Sequence, residues 1–348
     1  MMNHNNLKVA SPFLVAVAFA IVYIVWGSTY FFIQMAIQDL PPLLMGAMRF
    51  LAAGAILLLW SFIKGERIFV KSSLITSAIV GILLLVVGNG VVIWAEQTLP
   101  SALVAILVSS APIWFVLLDK PNWSTNLKSK STLAGLMVGF IGVLLLFGEQ
   151  VSDMLAANTD RSKIIGMLSL LVGAIAWSSG SLYSKHNPSE GSPTVNVAWQ
   201  MVIAGLVFLP ASLLNHEFDR VIWSQITVQA WLALAYLVLF GSIIAYSAYV
   251  WLLQVRSATQ VSTYAYVNPV IAVILGIVFA HETISLVQLI GLVVILGSVL
   301  LINLSKYRIG TTGNNNEKKG VSDKPSALLH DQVCLTDVLI PPVKIIEN

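Results

Sequence analysis

Charge is what this chain has least of. Only 10% of its 348 residues are Asp, Glu, Lys or Arg, less than half of the roughly 25% usual in a soluble domain. That deficit excludes an ordinary water-soluble globule. Cys334 is the only cysteine, so a disulfide scaffold is excluded. Glycine has no triplet period, and 57% hydrophobic residues leave no room for a mainly disordered chain. The 19 basic and 16 acidic residues give +3 without a clustered basic face, so nucleic acid is not an expected partner. His4, His186, His216, His281 and His330 fall in loops, span ends or tails, and GxSxG, HExxH and paired intramembrane aspartates are all missing. No metal site, cofactor or enzymatic centre is therefore expected.

What is present is long apolar runs. A hydrocarbon layer about 30 Å thick is crossed by ~20 mostly apolar helical residues. Ten such runs can be read: Phe13 to Ile37, Leu43 to Phe62, Leu74 to Ala95, Ala102 to Leu118, Thr132 to Gly148, Ile164 to Lys185, Val195 to Leu214, Val228 to Leu253, Thr259 to Ala280 and Leu286 to Asn303. The first is too long for a signal-peptide core and has no small-residue cleavage pattern behind it, so it is expected to be retained. With loops assigned to alternate sides, fifteen basic residues gather on one side, from Lys8 to Lys344, and only Arg161, Lys163 and Arg220 on the other. The positive-inside rule then places both termini in the cytoplasm. The tail 305–348, rich in Gly, Asn and Lys, is expected to be disordered and cytoplasmic.

The two halves share residues in register. A shift of 151 superposes Trp26 on Trp177, Ser28 on Ser179, Ala53 on Ala204 and Gly54 on Gly205, with Arg49 falling on Gln200; a shift of 157 superposes Trp94 on Trp251, Gln97 on Gln254 and Pro112 on Pro269; a shift of 156 brings Gly135 onto Gly291. Five spans per half is an odd number, so the second copy enters the membrane upside down. The expected fold is an all-α integral membrane protein of ten transmembrane helices, built as two inverted five-helix repeats over 1–148 and 164–304. Inverted repeats place a site at their interface, near mid-membrane. Pro112 and Pro269 lie about halfway along their spans, where each removes a backbone donor and frees the carbonyl of Val108 or Ala265.

The segments WGSTYFFIQMAI from Trp26 to Ile37, LPP, Arg49-Phe50, SALVAILVSSAPIW and the stretch AYVWLLQVRSATQVSTYAYVNPVIAVILGIVFAHETISLVQLIGLVVILG, with Asn268-Pro269, Glu282 and Gly291, resemble the EamA family of the drug/metabolite transporter superfamily. Each motif is loose; their order across the chain is specific. The resemblance covers about Val15 to Leu304. It implies a bacterial inner-membrane exporter or facilitator of small metabolites with a central cavity between the halves. It does not fix the substrate, because such families include amino-acid, pigment-precursor and drug exporters.

Polar side chains in lipid turn toward the bundle interior or a wet cavity, so polar stripes at helical spacing mark a lining. Tyr23, Trp26, Tyr30 and Gln34 form one stripe, Ser242, Tyr246 and Tyr249 a second, and Gln260, Tyr264 and Asn268 a third. Trp26, Tyr30, Asn89, Trp177, Tyr246, Tyr249, Tyr264 and Asn268 are the expected substrate-facing set. The plainer role for any one hydroxyl is interhelical hydrogen bonding, worth ~0.6 kcal/mol on average. Trp94 with Gln97, and Trp251 with Gln254, stand at opposite span ends and are the expected outer and inner gates; bulky packing is the alternative. Arg49 is the one basic residue within a span, about 9 Å below the surface at 1.5 Å per residue. It is expected to snorkel outward and pair with Asp39 or Glu96, with carboxylate binding or gating as alternatives. Glu96 and Glu282 are expected at the outer mouth as interfacial caps able to titrate there.

These features point to a secondary transporter of a small neutral or zwitterionic solute, an amino acid or an aromatic or drug-like compound, since one fixed cation is too few for a polyanion. Its partners are that solute and the lipid bilayer, as monomer or homodimer. A non-transporting scaffold or receptor, and more remotely an intramembrane enzyme, remain as alternatives.

Overall fold

A computed structural model describes residues 10–99, 101–156, 161–280 and 285–316, and every regular element in them is helical. The long elements are α1 (Pro12–Ile37), α2 (Pro42–Ile63), α3 (Lys71–Ala95), α4 (Ser101–Val108), α5 (Ala111–Leu118), α6 (Lys130–Ala156), α7 (Arg161–His186), α8 (Pro193–Leu214), α9 (Val228–Val255), α10 (Tyr264–Ala280) and α11 (Leu286–Asn316). Several start where the chain supplies a proline in the first turn: Pro12, Pro42 and Pro193 occupy positions whose N–H has no helical partner.

Among the described residues, eight helices are long and apolar enough to cross a membrane, or nine if a pair bent by 98°, Lys120–Asn126 and Lys130–Leu146, is one span. The fourth and fifth expected runs account for the difference. The fourth is two eight-residue helices, α4 and α5, broken at Ser109 and Ser110. Pro112 therefore does not kink a continuous helix. It lies in the first turn of α5, where its missing donor has no consequence. Pro269, by contrast, is inside α10, and the Ala265 carbonyl it frees accepts a hydrogen bond from Ser109 Oγ at 2.8 Å. The last helix continues to Asn316, past the expected start of the disordered tail, with no proline to stop it before Pro325; residues 317–348 lie outside the described set.

The surface is inverted relative to a soluble protein. Leu133, Met137, Ile141 and Leu144 on α6, and Leu289, Val293, Leu296 and Leu300 on α11, form exposed stripes at helical spacing. Each such side chain buried from water gains ~1.5–3 kcal/mol, so faces of this kind are stable against lipid. Inside, α2 packs on α8, α6 on α11, α1 on α9 and α10, and α7 on α3 and α5. The α2/α8 and α6/α11 contacts are nearly backbone to backbone. A Cβ on Gly54 would meet Val202 N at 2.9 Å and one on Gly205 would meet Leu51 N at 3.0 Å. A Cβ on Gly291 would meet Leu146 N at 2.8 Å and one on Gly135 would meet Ile302 N at 3.4 Å. Gly139, one turn on from Gly135, is closed in by the same helix, a Cβ there meeting Ser298 Oγ at 2.7 Å.

Two long helices widen at mid-length into π-helical turns, Ile82–Asn89 in α3 and Leu237–Ala245 in α9. Such segments are uncommon and concentrate at functional sites. Here they turn Asn89, and Gly241 with Ser242, toward the centre of the bundle.

Candidate functional site

A cavity of about 80 Å³ lies at the meeting of α1, α2, α3, α4, α5, α7 and α10. One water needs ~10–15 Å³ of such space, so the cavity is large enough for several. Trp26, Tyr30, Asn89, Trp177, Tyr264 and Asn268 line it together with Arg49. Sequence spacing did not single out Thr29, Val92, Gly173 or Ala174, which also line it. Small or apolar residues bear no chemical signature, and only the packing brings them there.

One wall is aromatic. The Trp26 ring lies 5.4 Å from Trp177, 4.8 Å from Tyr249 and 5.1 Å from Tyr264 between centroids, with Tyr249 and Tyr264 at 5.6 Å. Hydrogen bonds fix the rings: Trp26 Nε1 donates to the Gly241 carbonyl at 3.2 Å, and Trp177 Nε1 to Tyr249 Oη at 3.0 Å. Tyr249 Oη is also 2.6 Å from Ser181 Oγ. Tyr249 is fully buried, so it backs the wall and does not face the space. Tyr246 lines a smaller adjoining cavity and donates to Gln200 Oε1 at 2.7 Å. Gln200 is the residue onto which Arg49 falls in the repeat, and both side chains contact α9 one turn apart, at Tyr246 and Ser242.

Three of the residues that line this space carry polar atoms without partners. Arg49 is 4% exposed; its Nε donates to Ser242 Oγ at 2.8 Å and its guanidinium lies 5.1 Å from the Phe50 ring centroid, but Nη1 has no hydrogen-bond partner. Oδ1 of Asn89 and Oδ1 of Asn268 are likewise buried and unpaired. Unsatisfied buried polar atoms cost ~1–3 kcal/mol each, and three of them belong to residues lining one cavity.

Several expectations are corrected. Arg49 does not snorkel, and no ion pair joins it to Asp39 or Glu96 among the described residues: Asp39 is held elsewhere, accepting from Thr227 N at 2.8 Å and Thr227 Oγ1 at 2.6 Å. Those bonds keep the exposed Asp39 carboxyl below its ordinary range, the side-chain hydroxyl contributing most. Glu96 is not an interfacial cap; it is 7% exposed with neither carboxylate oxygen hydrogen-bonded. Trp94 is 39% exposed, and the exposed Gln97 amide donates to its carbonyl at 3.2 Å. Val92 lines the cavity, and two residues further, at 100° each, a helix presents nearly its opposite face. Trp251 is buried and Gln254 exposed, donating to the Ser184 carbonyl at 3.4 Å. None of the four expected gate residues lines the cavity. Gln34 is exposed as well. Glu282 lies outside the described residues.

Comparison with known proteins gives a consistent picture. The model of the EamA-like transporter family matches residues 13–148 and again 164–304. The chain is 36% identical over 286 residues, 82% of its length and 89% of the relative's, to the Escherichia coli K12 protein named uncharacterized inner membrane transporter YedA. It is 26% identical to the uncharacterized transporter YoaV of Bacillus subtilis, over 79% of this chain and 91% of that one. It is also 26% identical to a probable amino-acid metabolite efflux pump of Salmonella typhimurium, over 84% and 95%. A solved crystal structure shares the fold with a TM-score of 0.70 at 19% identity, covering 86% of this chain and 99% of that one.

Proposed function

Because the chain belongs to the EamA-like transporter family, we propose that it exports a small neutral or zwitterionic metabolite, an amino acid or a compact aromatic compound, across the bacterial cytoplasmic membrane by alternating access. The observation that carries the substrate class is the set of unpaired atoms on residues lining the cavity: the Nη1 amino group of Arg49 and the amide oxygens of Asn89 and Asn268. A carboxylate satisfies the first and an ammonium the other two. The Trp26, Trp177 and Tyr264 rings offer an apolar, cation-tolerant wall to the rest of the solute. A polyanion would need more than one fixed cation to replace its water.

The architecture we propose is ten spans in two inverted repeats, with α4 and α5 together forming the fourth. Reciprocal contacts support it. Gly54 meets Val202, and under the shift of 151 their counterparts are Gly205 and Leu51, which also meet. Gly135 meets Ile302, and under the shift of 156 their counterparts Gly291 and Leu146 meet too. Such exchange of roles is what a two-fold axis produces. The π-helical turns of α3 and α9 overlap under the shift of 157. With both termini cytoplasmic, the lining from the later part of α1 and α3 and the early part of α2 lies in the outer half of the bundle, while that from the middle of α7 and the start of α10 reaches its centre and inner half. The Trp26, Trp177, Tyr249 and Tyr264 cluster then closes the path to the cytoplasm.

The test is purified protein in liposomes preloaded with unlabelled solute, scored for exchange uptake of labelled amino acids and aromatic amines. Exchange of at least one zwitterion, lost in Trp26→Ala with folded protein retained, is the expected result. No exchange with any member of the panel, with full protection of the cavity from small polar reagents, would favour the scaffold reading.

A further inference from the structure

The proposed transport cycle uses Arg49, the asparagines and the aromatic wall. It leaves Glu96 unexplained. This carboxyl follows the last residue of α3, one turn beyond Val92, so it shares the helix face that lines the cavity. It is buried, 7% exposed, and neither oxygen has a hydrogen-bond donor. Its chain neighbour Ala95 belongs to an apolar cluster with Leu99, Val104 and Leu170, against which Tyr30 packs. The titratable or charged groups on the surrounding elements are Tyr30 on α1 and Arg49 on α2, both in electrostatic reach and both lining the cavity. Lys163 on α7 lies one turn outward of Met167 on the face that packs here, and α4 carries none. No ion pair joins Glu96 to any of them among the described residues. An ionised carboxylate buried there has no protein donor to hold its charge, and Arg49 Nη1 also lacks a hydrogen-bond partner.

We propose that Glu96 is a proton-binding site tied to the opening of this end of the bundle, neutral and dry when the end is closed, ionised and facing the Arg49 guanidinium when it opens. Opening admits water; the carboxyl O–H bond breaks, its proton passes to that water, and the carboxylate left behind is stabilised by hydration and by the nearby cation. Closure expels the water and requires a proton to return from the medium to the same oxygen. No electrons move and no other reactant is involved. The consequence is that above the pH at which the opened carboxylate reloads readily, closure slows in proportion to proton concentration.

The inference rests on the transport reading for its effect on rate, but the proton site is measurable without it. Infrared spectra of the full-length protein in lipid at neutral pH should show a protonated-carboxyl C=O band that is absent from Glu96→Gln and retained in Glu66→Gln, whose Oε2 is another buried unpaired carboxylate oxygen. If no such band exists in the wild type, or if it survives in Glu96→Gln, the proposal is overturned. Should Glu96→Gln not fold, Glu96→Met serves the same comparison. In liposomes with equal pH on both sides, exchange of labelled phenylalanine by the wild type should fall toward tenfold per pH unit on the alkaline side, one proton being required. In Glu96→Gln it should be flat. A wild type that exchanges phenylalanine with no such fall overturns the proton site and leaves the transport reading standing. A band assigned to Glu96 without phenylalanine exchange supports the site and counts against that solute.

Discussion

Single residues at the cavity divide by what their atoms lack. Trp26 has its indole N–H satisfied by Gly241, so its remaining offer to a solute is the ring face. An aromatic contact with a cation is worth ~0.5–2 kcal/mol, or about 2- to 30-fold in affinity. Trp26→Phe should therefore keep much of the exchange rate with a somewhat higher KM, whereas Trp26→Ala should abolish it; size-exclusion profiles would show whether the loss is one of folding instead. Arg49 offers a fixed charge at the cavity lining, because Ser242 holds Nε and Nη1 is left without a partner. Arg49→Met should weaken competition by an amino acid at least tenfold and leave competition by its decarboxylated amine nearly unchanged. Equal losses for both would mean that the guanidinium organises the helices and does not read the carboxylate.

Elements meet at places where the chain supplies glycine or a fixed hydrogen bond. At Gly54 and Gly205 the facing backbone atoms stand at or under 3.0 Å from where a Cβ would be, so α2 and α8 must separate to admit any side chain. Overpacking of this kind costs ~1–3 kcal/mol. Gly54→Val and Gly205→Val should each lower the melting temperature in detergent by similar amounts. Gly297→Ala, with nothing within 4 Å, should leave it unchanged or raise it slightly. The turn after α1 is tied to the start of α9 by Asp39 and Thr227. Asp39 has its carboxyl held below the ordinary range, so its stabilising contribution is complete above that range and is lost as pH falls through the lowered value. Melting curves from pH 6 down to about pH 3 should therefore drop more steeply in the wild type than in Asp39→Asn, the two converging at the acid end; parallel curves would show that the tie is immaterial.

At the scale of the whole molecule, four mutually packed aromatic rings form one wall of the cavity, and Tyr30 and Ile33 line it further along α1. Single cysteines at Trp26 and Asn268 in a Cys334-free background should react with a small polar reagent, while one at Tyr249, fully buried behind the wall, should react slowly until solute drives the bundle through its other state. The proposed topology adds a plain requirement: reporters fused to the two ends must read the same face of the membrane. Opposite faces would break the even span count and, with it, the inverted arrangement.

The amino-acid sequence alone determined the membrane as solvent, because a chain with so few charges and so many apolar runs has no stable alternative in water. It also determined the family, through the order of loose motifs, and much of the cavity lining, because Trp26, Tyr30, Tyr264 and Asn268 are polar or aromatic at helical spacing in segments where such residues are expensive to leave in lipid. Tertiary structure decided the rest. Which face of α3 turns inward depends on the rotation set by its π-helical turns, and this separates Val92 and Glu96 from Trp94. Whether Arg49 meets water, an acid or a hydroxyl depends on which helix lies opposite, and that helix is α9, almost two hundred residues away. Spacing along one helix fixes a direction only relative to that helix; the partner across the bundle is chosen by packing.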